Sequence, residues 1–338
     1  MHELVALCDY KGGFGSKYFA YPYRSGMDKD VLRKGFLDYG VIISYLNFGD
    51  CQNPADFYDK YVIYTSQEDA GYKYKSYIED VIHSLQLSGA MVIPSYKYLR
   101  ANNNKVSMEF LRGTELGSKF QIETLKLGTL EEVDKHLSKI QYPCVLKMAE
   151  GAGSKGVYLA KDKNDLLVKV RHLARSRDYL FEIRDAIRTI RHKGYHRESI
   201  YRSKYIIQEF IPGLTNDWKV LVFGEKYYVL RRDNRHGDFR ASGSGLFSFD
   251  DTVDFKLLDA AKEVFESFDV PMISLDLAMH GEKVFLIEFQ FVYFGVSTLE
   301  KSPYYYQFTD DKWDQIIKKS SLEMVYAESI CKYIGERH

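Results

Sequence analysis

Ile273-Ser-Leu-Asp-Leu-Ala278 and Val284-Phe-Leu-Ile-Glu-Phe-Gln-Phe291 are two alternating, strand-like runs joined through His280-Gly-Glu-Lys283. Successive strand side chains point to opposite faces, so Leu275 and Leu277 share one face and Ser274, Asp276 and Ala278 the other. On the second run Leu286, Glu288 and Gln290 share a face. A three-residue loop over Gly281-Glu-Lys283 pairs His280 with Val284 and sets Asp276 opposite Glu288. Directly opposed carboxylates repel. The pair is tolerated cheaply if both reach water, as two solvated edge residues, or if they share a cation. Oxygen-only ligands favour Mg²⁺ in the second case.

Working outward, the 338 residues can bury a large core and divide into two or three domains or subdomains. Forty-seven Lys and Arg balance 47 Asp and Glu, which argues against a general nucleic-acid binder. Cys8, Cys51, Cys144 and Cys331 are far apart and form neither a CxxC pair nor a zinc spacing. Buried thiols in a reducing compartment are the default, which places the chain in the cytoplasm. The N-terminus shows no basic region followed by a long apolar stretch, and no apolar run approaches a membrane span, so neither a signal peptide nor a membrane segment is expected.

Residues 1–100 alternate strand and helix. Leu4-Val-Ala-Leu-Cys8, Val41-Ile-Ile-Ser-Tyr-Leu46, Tyr61-Val-Ile-Tyr-Thr65 and Ala90-Met-Val-Ile93 read as strands. Asp28 caps a helix running to about residue 39, and Ser76 caps one carrying Ile78, Val81, Ile82 and Leu85 and stopping near Gly89. The pattern predicts a small parallel sheet. Lys11-Gly-Gly-Phe-Gly-Ser-Lys17 reads either as an anion cradle or as a mobile loop. Residues 101–205 open with the polar stretch Ala101-Asn-Asn-Asn-Lys105 and end in a helical, basic segment. That segment, 171–204, holds eight Arg and two Lys against four acids, and Arg184, Arg188 and Arg191 fall on one helical face. It reads as a solvated face or as an attractor for an acidic substrate. Residues 206–338 comprise a hairpin turning at Gly224-Glu225, an amphipathic helix over 254–268, the carboxylate hairpin, and a terminal helix over 313–334.

Between these lie the phosphate-type pieces. Tyr142-Pro-Cys-Val-Leu-Lys-Met148 is a strand ending in a lysine, and Glu150-Gly-Ala-Gly-Ser-Lys-Gly156 follows it. Glycines let backbone N–H groups approach an anion, and the lysine adds a point charge. The spacing is not that of a Walker A loop, and a strand rather than a helix follows. Ile206-Ile-Gln-Glu-Phe-Ile-Pro-Gly213 is an apolar strand leaving the core at its proline, suited to an adenine edge or to plain packing. Arg231, Arg232, Arg235 and Arg240 lie in or beside a loop of small residues, suited to phosphoryl charge or to solvation.

In this order the pieces resemble the ATP-grasp superfamily, in particular ligases of the ribosomal-protein glutamate ligase and glutathione synthetase type. Asn104-Lys105, Pro143-Cys-Val-Leu-Lys147, Glu150 to Gly156, Gln208-Glu-Phe-Ile211, Asp217-Trp-Lys219, Gly237-Asp-Phe-Arg240, Asp276 and Glu288-Phe-Gln290 carry the resemblance, over about residues 95–295. It implies an α/β (α+β) ATP-grasp fold in which two α+β subdomains sandwich ATP, preceded by a small parallel-sheet domain. The boundaries are 1–100 for that first domain, 101–205 for the small lid subdomain with its basic insertion 171–204, and 206–338 for the large subdomain.

The resemblance further implies ATP as substrate and Mg²⁺ or Mn²⁺ as cofactor. Lys105 and Lys147 would bind phosphates, with Gly151, Gly153, Ser154 and Gly156 in the loop closing over them. Gln208, Glu209, Phe210 and Ile211 would hold adenine, with Glu209 or Asp217 near the ribose and Lys219 beside the nucleotide. Asp276, Glu288 and Gln290 would hold the metal, and Arg240, with Lys147, would serve the transferring phosphoryl group. The activity implied is an ADP-forming ligase joining a small-molecule, peptide or saccharide carboxylate to an amine or amino acid, with no membrane or nucleic-acid partner; a homodimer is common in such ligases. A phosphotransferase and a nucleotide-binding protein without turnover are the alternatives. The family carries Asn where this chain has Gln290, one methylene longer. Arg240-Ala-Ser-Gly-Ser-Gly245 also departs from the fuller family motif. Acceptor specificity is expected in the loops 12–24, 65–72 and 292–306.

Overall fold

The computed structural model describes residues 2–151, 156–176, 178–240, 244–249 and 253–337. Contacts divide the chain into two compact units, Met1–Asn102 with Leu214–His338, and Asn103–Gly213.

The first unit opens with β1 (His2–Cys8), α1 (Lys29–Leu37), β2 (Val41–Asn47), β3 (Tyr61–Tyr64), α2 (Lys73–Leu87), β4 (Met91–Ile93) and α3 (Tyr96–Ala101). The four strands form a parallel sheet in the order β2-β1-β3-β4. Strand alternation serves both faces: Leu4, Ala6 and Cys8 enter one apolar cluster, and Val5 and Leu7 the other, with Ile78, Ile82 and Leu85. Asp28 caps α1 by accepting from the N–H groups of Asp30 and Val31. The start of α2 differs from the sequence expectation. Ser76 lies within the helix, and the Asp69 carboxylate takes the N–H groups of Tyr74 and Lys75, 3.0 Å each. The helix thus starts earlier than expected, at Lys73, and a carboxylate upstream of it satisfies two of its first free N–H groups.

The second unit contains α4 (Lys105–Glu115), β5 (Thr124–Thr129), α5 (Leu130–His136), β6 (Cys144–Met148), β7 (Val157–Ala160), α6 (Lys163–Ala174), α7 (Tyr179–Arg191) and β8 (Arg202–Glu209). Its sheet is antiparallel in the order β5-β8-β6-β7. Leu127, Val133, Leu146, Leu166, Val170 and Ile207 make its core.

The chain then returns to the first unit through β9 (Asn216–Phe223), β10 (Lys226–Asp233), β11 (Phe247–Ser248), α8 (Phe255–Glu266), β12 (Met272–His280), β13 (Lys283–Gln290), α9 (Ser297–Lys301), β14 (Tyr305–Thr309), β15 (Lys312–Ile316) and α10 (Leu322–Gly335). The strands form a sheet ordered β13-β12-β9-β10-β14-β15, with β11 beside β10. Leu221, Phe223 and Tyr228 share a core with Leu4, Phe36 and Ile330. The terminal helix begins at Leu322, not near 313, because Lys312–Ile316 pairs with β14. Asp310 and Asp311 both take positive φ, 50° and 59°, the left-handed pair of a tight hairpin. Trp313 is thereby buried against Tyr227 and Phe308. The four cysteines are free and buried. Among the described residues, no helix is long and apolar enough to cross a membrane.

Candidate active site

In the second unit, β6 and β8 place Lys147 and Gln208 side by side. The Lys147 ammonium, buried, donates to Gln208 Oε1 at 2.6 Å, and Gln208 Nε2 donates to Thr124 Oγ1 on β5 at 3.1 Å. A desolvated lysine is thus fixed by a neutral acceptor and keeps its positive charge uncancelled by that bond. Lys105 sits at the start of α4, also buried. Its N–H donates to Ala149 O at 2.9 Å and its Nζ to Gly151 O at 3.3 Å, so both lysines stand at the root of the glycine loop. Met148 N donates to Gly156 O at 2.9 Å and closes the hairpin. Gly156 has φ +79° and a Cβ there would lie 3.0 Å from Met148, so only glycine fits. Gly153 and Ser154 lie outside the described residues. Gln208 and Glu209 line a cavity of about 20 Å³, room for one water and not for a base. Phe210 and Ile211 follow directly at the end of β8.

In the first unit, Asp276 does stand opposite Glu288, but by a different route. His280 pairs with Lys283 across a two-residue turn, and a bulge between Leu286 and Glu288 restores the offset. The bulge also separates Leu286, fully buried, from the half-buried Glu288 and Gln290, which the sequence put on one face with it. Gln290 Nε2 lies 3.5 Å from Glu288 Oε1, so the ends of these two side chains meet.

On its other side Asp276 faces Lys219 of β9. Lys219 Nζ lies 3.2 Å from Asp276 Oδ1 and Arg232 Nη2 2.8 Å from Oδ2. The same guanidinium grips Asp217 in bidentate fashion, at 2.5 and 2.8 Å. Burial opposes ionisation of Asp276, but Arg232 and Lys219 outweigh it and hold the carboxyl well below the usual range. Burial pushes Asp217 up to about 6 against the pull of Arg232, and the Asp276 charge adds to the rise. Asp217 and Lys219, expected near the nucleotide, are thus tied into an ion cluster around Asp276. Arg232 is the residue that the sequence undervalued, one arginine among four in its stretch. Its buried position on β10 opposite Asp217 marks it out. Arg240 is folded onto its own loop, with Nη2 2.8 Å from Asp238 Oδ2.

Asn102 is a second residue the sequence left in a polar stretch. It is fully buried, and its Oδ1 accepts from Phe291 N at 3.2 Å and Val292 N at 3.4 Å, just beyond Gln290. It clamps the end of the strand that carries Glu288 and Gln290. Asn102→Ala would orphan these amides at a cost of about 1–3 kcal/mol. Calorimetry should show a lower melting temperature, and an unchanged one would remove the clamp from the account.

The three loops expected to set acceptor specificity meet in the first unit. Gly15 N donates to Thr65 Oγ1 at 3.1 Å, and Tyr18 N and Phe19 N donate to the Glu300 carboxylate at 2.6 and 3.3 Å. In the glycine-rich stretch after β1, two backbone amides are taken by the side chain that precedes it. Asp9 Oδ1 accepts from Lys11 N at 2.9 Å and Gly13 N at 2.8 Å.

The donors Asp276, Glu288 and Gln290 are all oxygen, on adjacent strands and next to one another, which fits a hard cation held jointly with phosphate oxygens. Two cations already neutralise Asp276, so a metal there competes with Lys219 and Arg232. Among the described residues no group of three or more His, Cys, Asp or Glu gathers as a metal cluster.

No protein-family model matches the chain, and no curated protein matches it by sequence. Solved structures do. A RimK-domain ATP-grasp protein of Sphaerobacter thermophilus is similar over 98% of this chain and 99% of its own, with 14% identity and a TM-score of 0.54. D-cycloserine synthetase DcsG is similar over 98% and 99%, with 12% identity and a TM-score of 0.56. D-alanine–D-alanine ligase of Bacillus anthracis is similar over 99% and 100%, with 13% identity and a TM-score of 0.51. At such identities the likeness is one of fold, and the chain has the ATP-grasp fold.

Proposed function

We propose that this protein is an ATP- and Mg²⁺-dependent carboxylate–amine ligase. The observation that carries the reading is the pair of buried lysines, Lys105 and Lys147, at the root of a glycine hairpin in an ATP-grasp fold. Both would hold ATP phosphates, with Gly151 and Gly156 bounding the loop that covers them. Gln208 keeps Lys147 aimed, and the β8 end, Glu209 to Ile211, offers backbone to adenine. Asp276, Glu288 and Gln290 would hold Mg²⁺, which when bound neutralises phosphate charge. Lys219 and Arg232 keep Asp276 ionised and in place. Arg240 would swing from Asp238 to the transferring phosphoryl group.

The chemistry runs in two steps. A carboxylate oxygen of the acid attacks the γ-phosphorus, the bond to the β–γ bridging oxygen breaks, and ADP leaves. The amine nitrogen then attacks the acyl carbon, the carbon–oxygen bond to phosphate breaks, and the ammonium proton passes to phosphate or solvent. Positioning and charge neutralisation do the work, so no nucleophilic side chain is required. The four free, buried thiols fit the reducing cytoplasm as its compartment.

ADP and phosphate release only when acid and amine are both present, with the amide seen by mass spectrometry, is the expected result. Release with a hydroxyl acceptor alone would make the protein a kinase. The cations committed to Asp276, together with Gln290, favour a second reading, a nucleotide-binding protein without turnover. Tight ATP binding with no turnover across a broad panel of acids and amines would establish it. For the ligase, Gln290→Leu should raise the Mg²⁺ needed for half-maximal turnover by about 10- to 100-fold, as loss of a partner at a metal site does. An unchanged Mg²⁺ titration would take Gln290 out of the metal site.

A further inference from the structure

Helix α7 turns its two carboxylates inward and its apolar residues out. Asp185 is buried, hydrogen-bonded by Tyr195 Oη and, at 3.2 Å, by Glu198 N, and paired with Arg197 at 3.6 Å. Glu182 pairs with Arg175 at 2.8 Å. Its apolar side faces outward: Tyr179, Leu180, Ile183, Ile187 and Ile190 are 62, 71, 59, 41 and 87% exposed. Helical geometry gathers these five into one stripe about 100° wide, and together they expose several hundred Å² of largely apolar surface, the size at which a patch marks an interaction site. The bonds to Asp185 and Glu182 stop the helix from rolling this stripe inward, since rolling would strip a buried carboxylate of its partners. The insertion is therefore built to present the stripe.

We infer that α7 is a docking surface for an acidic amphipathic helix of another protein. Charge decides the partner. Arg184, Arg188 and Arg191, all exposed, line one flank of the stripe, whereas Glu182, Ala186 and Thr189 line the other. A helix lying in a membrane surface carries cations over the whole polar side above its apolar face, and here one flank has none. A two-fold antiparallel pairing with a second copy sets like flanks together, arginine against arginine, and is repelled. A narrow apolar seam with a one-sided basic flank instead matches a partner helix with apolar residues at i, i+3, i+4 and i+7 and carboxylates along one side. The inference is independent of the activity proposed for the ATP site.

The test uses the full chain and a synthetic amphipathic helix with a leucine stripe and a single glutamate flank, titrated by fluorescence anisotropy. Saturable binding is expected. Arg188→Glu with Arg191→Glu should weaken it by about tenfold or more, and the same variant should bind a lysine-flanked version of the peptide instead. Ile183→Ser with Ile187→Ser should abolish binding of both peptides while the melting temperature holds, because these side chains are exposed. Equal binding of both peptides by the unaltered chain, or no binding of either, overturns the inference. Association with phosphatidylserine-containing vesicles lost in the Ile183, Ile187 variant makes the surface a membrane contact and overturns it. A dimer that the same variant dissociates makes it a self-association face, with the same consequence.

Discussion

Lys147→Ala should remove ATP-dependent turnover, with a loss of at least about 10²–10³-fold in kcat/KM, the scale on which a single preorganised positive group acts on developing charge. The size follows from burial. Lys147 is 8% exposed and its ammonium is held by Gln208 Oε1 at 2.6 Å, so no water replaces it at low cost and its field is weakly screened. Lys147→Arg should not rescue, because a planar fork does not reproduce the compact point charge that is bonded to Gln208. The fold should survive, since Gln208 keeps its bond to Thr124 and the β6 backbone pairing is untouched. Nucleotide binding by calorimetry, kcat/KM for ADP release, and a melting curve read the three effects separately. Full activity in the alanine variant would end the assignment of this hairpin as the phosphate site.

Arg232→Met should be the most destabilising single change in the first unit. Arg232 joins Asp217 and Asp276 across β9, β10 and β12, with the guanidinium at 2.5 and 2.8 Å from Asp217 and 2.8 Å from Asp276. Methionine fills much of the volume but leaves the buried Asp217 and the half-buried Asp276 with only Lys219 between them. Breaking a buried ion pair from one side costs about 3–5 kcal/mol, which for a unit of this size lowers the melting temperature by roughly 10 °C. Arg232→Met combined with Asp217→Asn should recover part of the loss, because one of the orphaned charges is then gone. A double-mutant cycle on the melting free energies measures that coupling. Additive losses would mean that the two residues do not act as one cluster.

These two sites differ in how far they could be read before folding. The lysine at the end of Pro143-Cys-Val-Leu-Lys147 and the glycine run after it lie next to each other in the chain, and their strand–loop–strand form follows from local preferences. Gln208 joined them only through the antiparallel order β5-β8-β6-β7, which pairs it with Val145 and brings it within reach of Lys147, and Lys105 only through the placement of α4 against Ala149 and Gly151. The ion cluster was less legible still. Asp217, Arg232 and Asp276 lie on strands whose order in the sheet, β12-β9-β10, departs from their order in the chain. Asn102 sat in a run of three asparagines that resembles a loop, and burial turned it into a clamp. Helix α7 was recognisable by its arginines, but an amphipathic pattern is the same whichever face is turned inward. The hydrogen bonds to Asp185 settled the orientation.

The carboxylate hairpin shows where the division falls. Alternation of side chains along each run fixed the face of Asp276 and of Glu288, and a three-residue loop was assumed to set them opposite each other. The turn length and the bulge at Ile287 left no mark in that pattern: a two-residue turn plus one bulged residue offsets the strands as far as a three-residue turn does. What covers the pair was also beyond the sequence. Local pattern fixes which face a residue takes, whereas the neighbour across the next strand depends on sheet order. It was sheet order that brought Lys219 and Arg232 to Asp276 and left Glu288 and Gln290 on its open side.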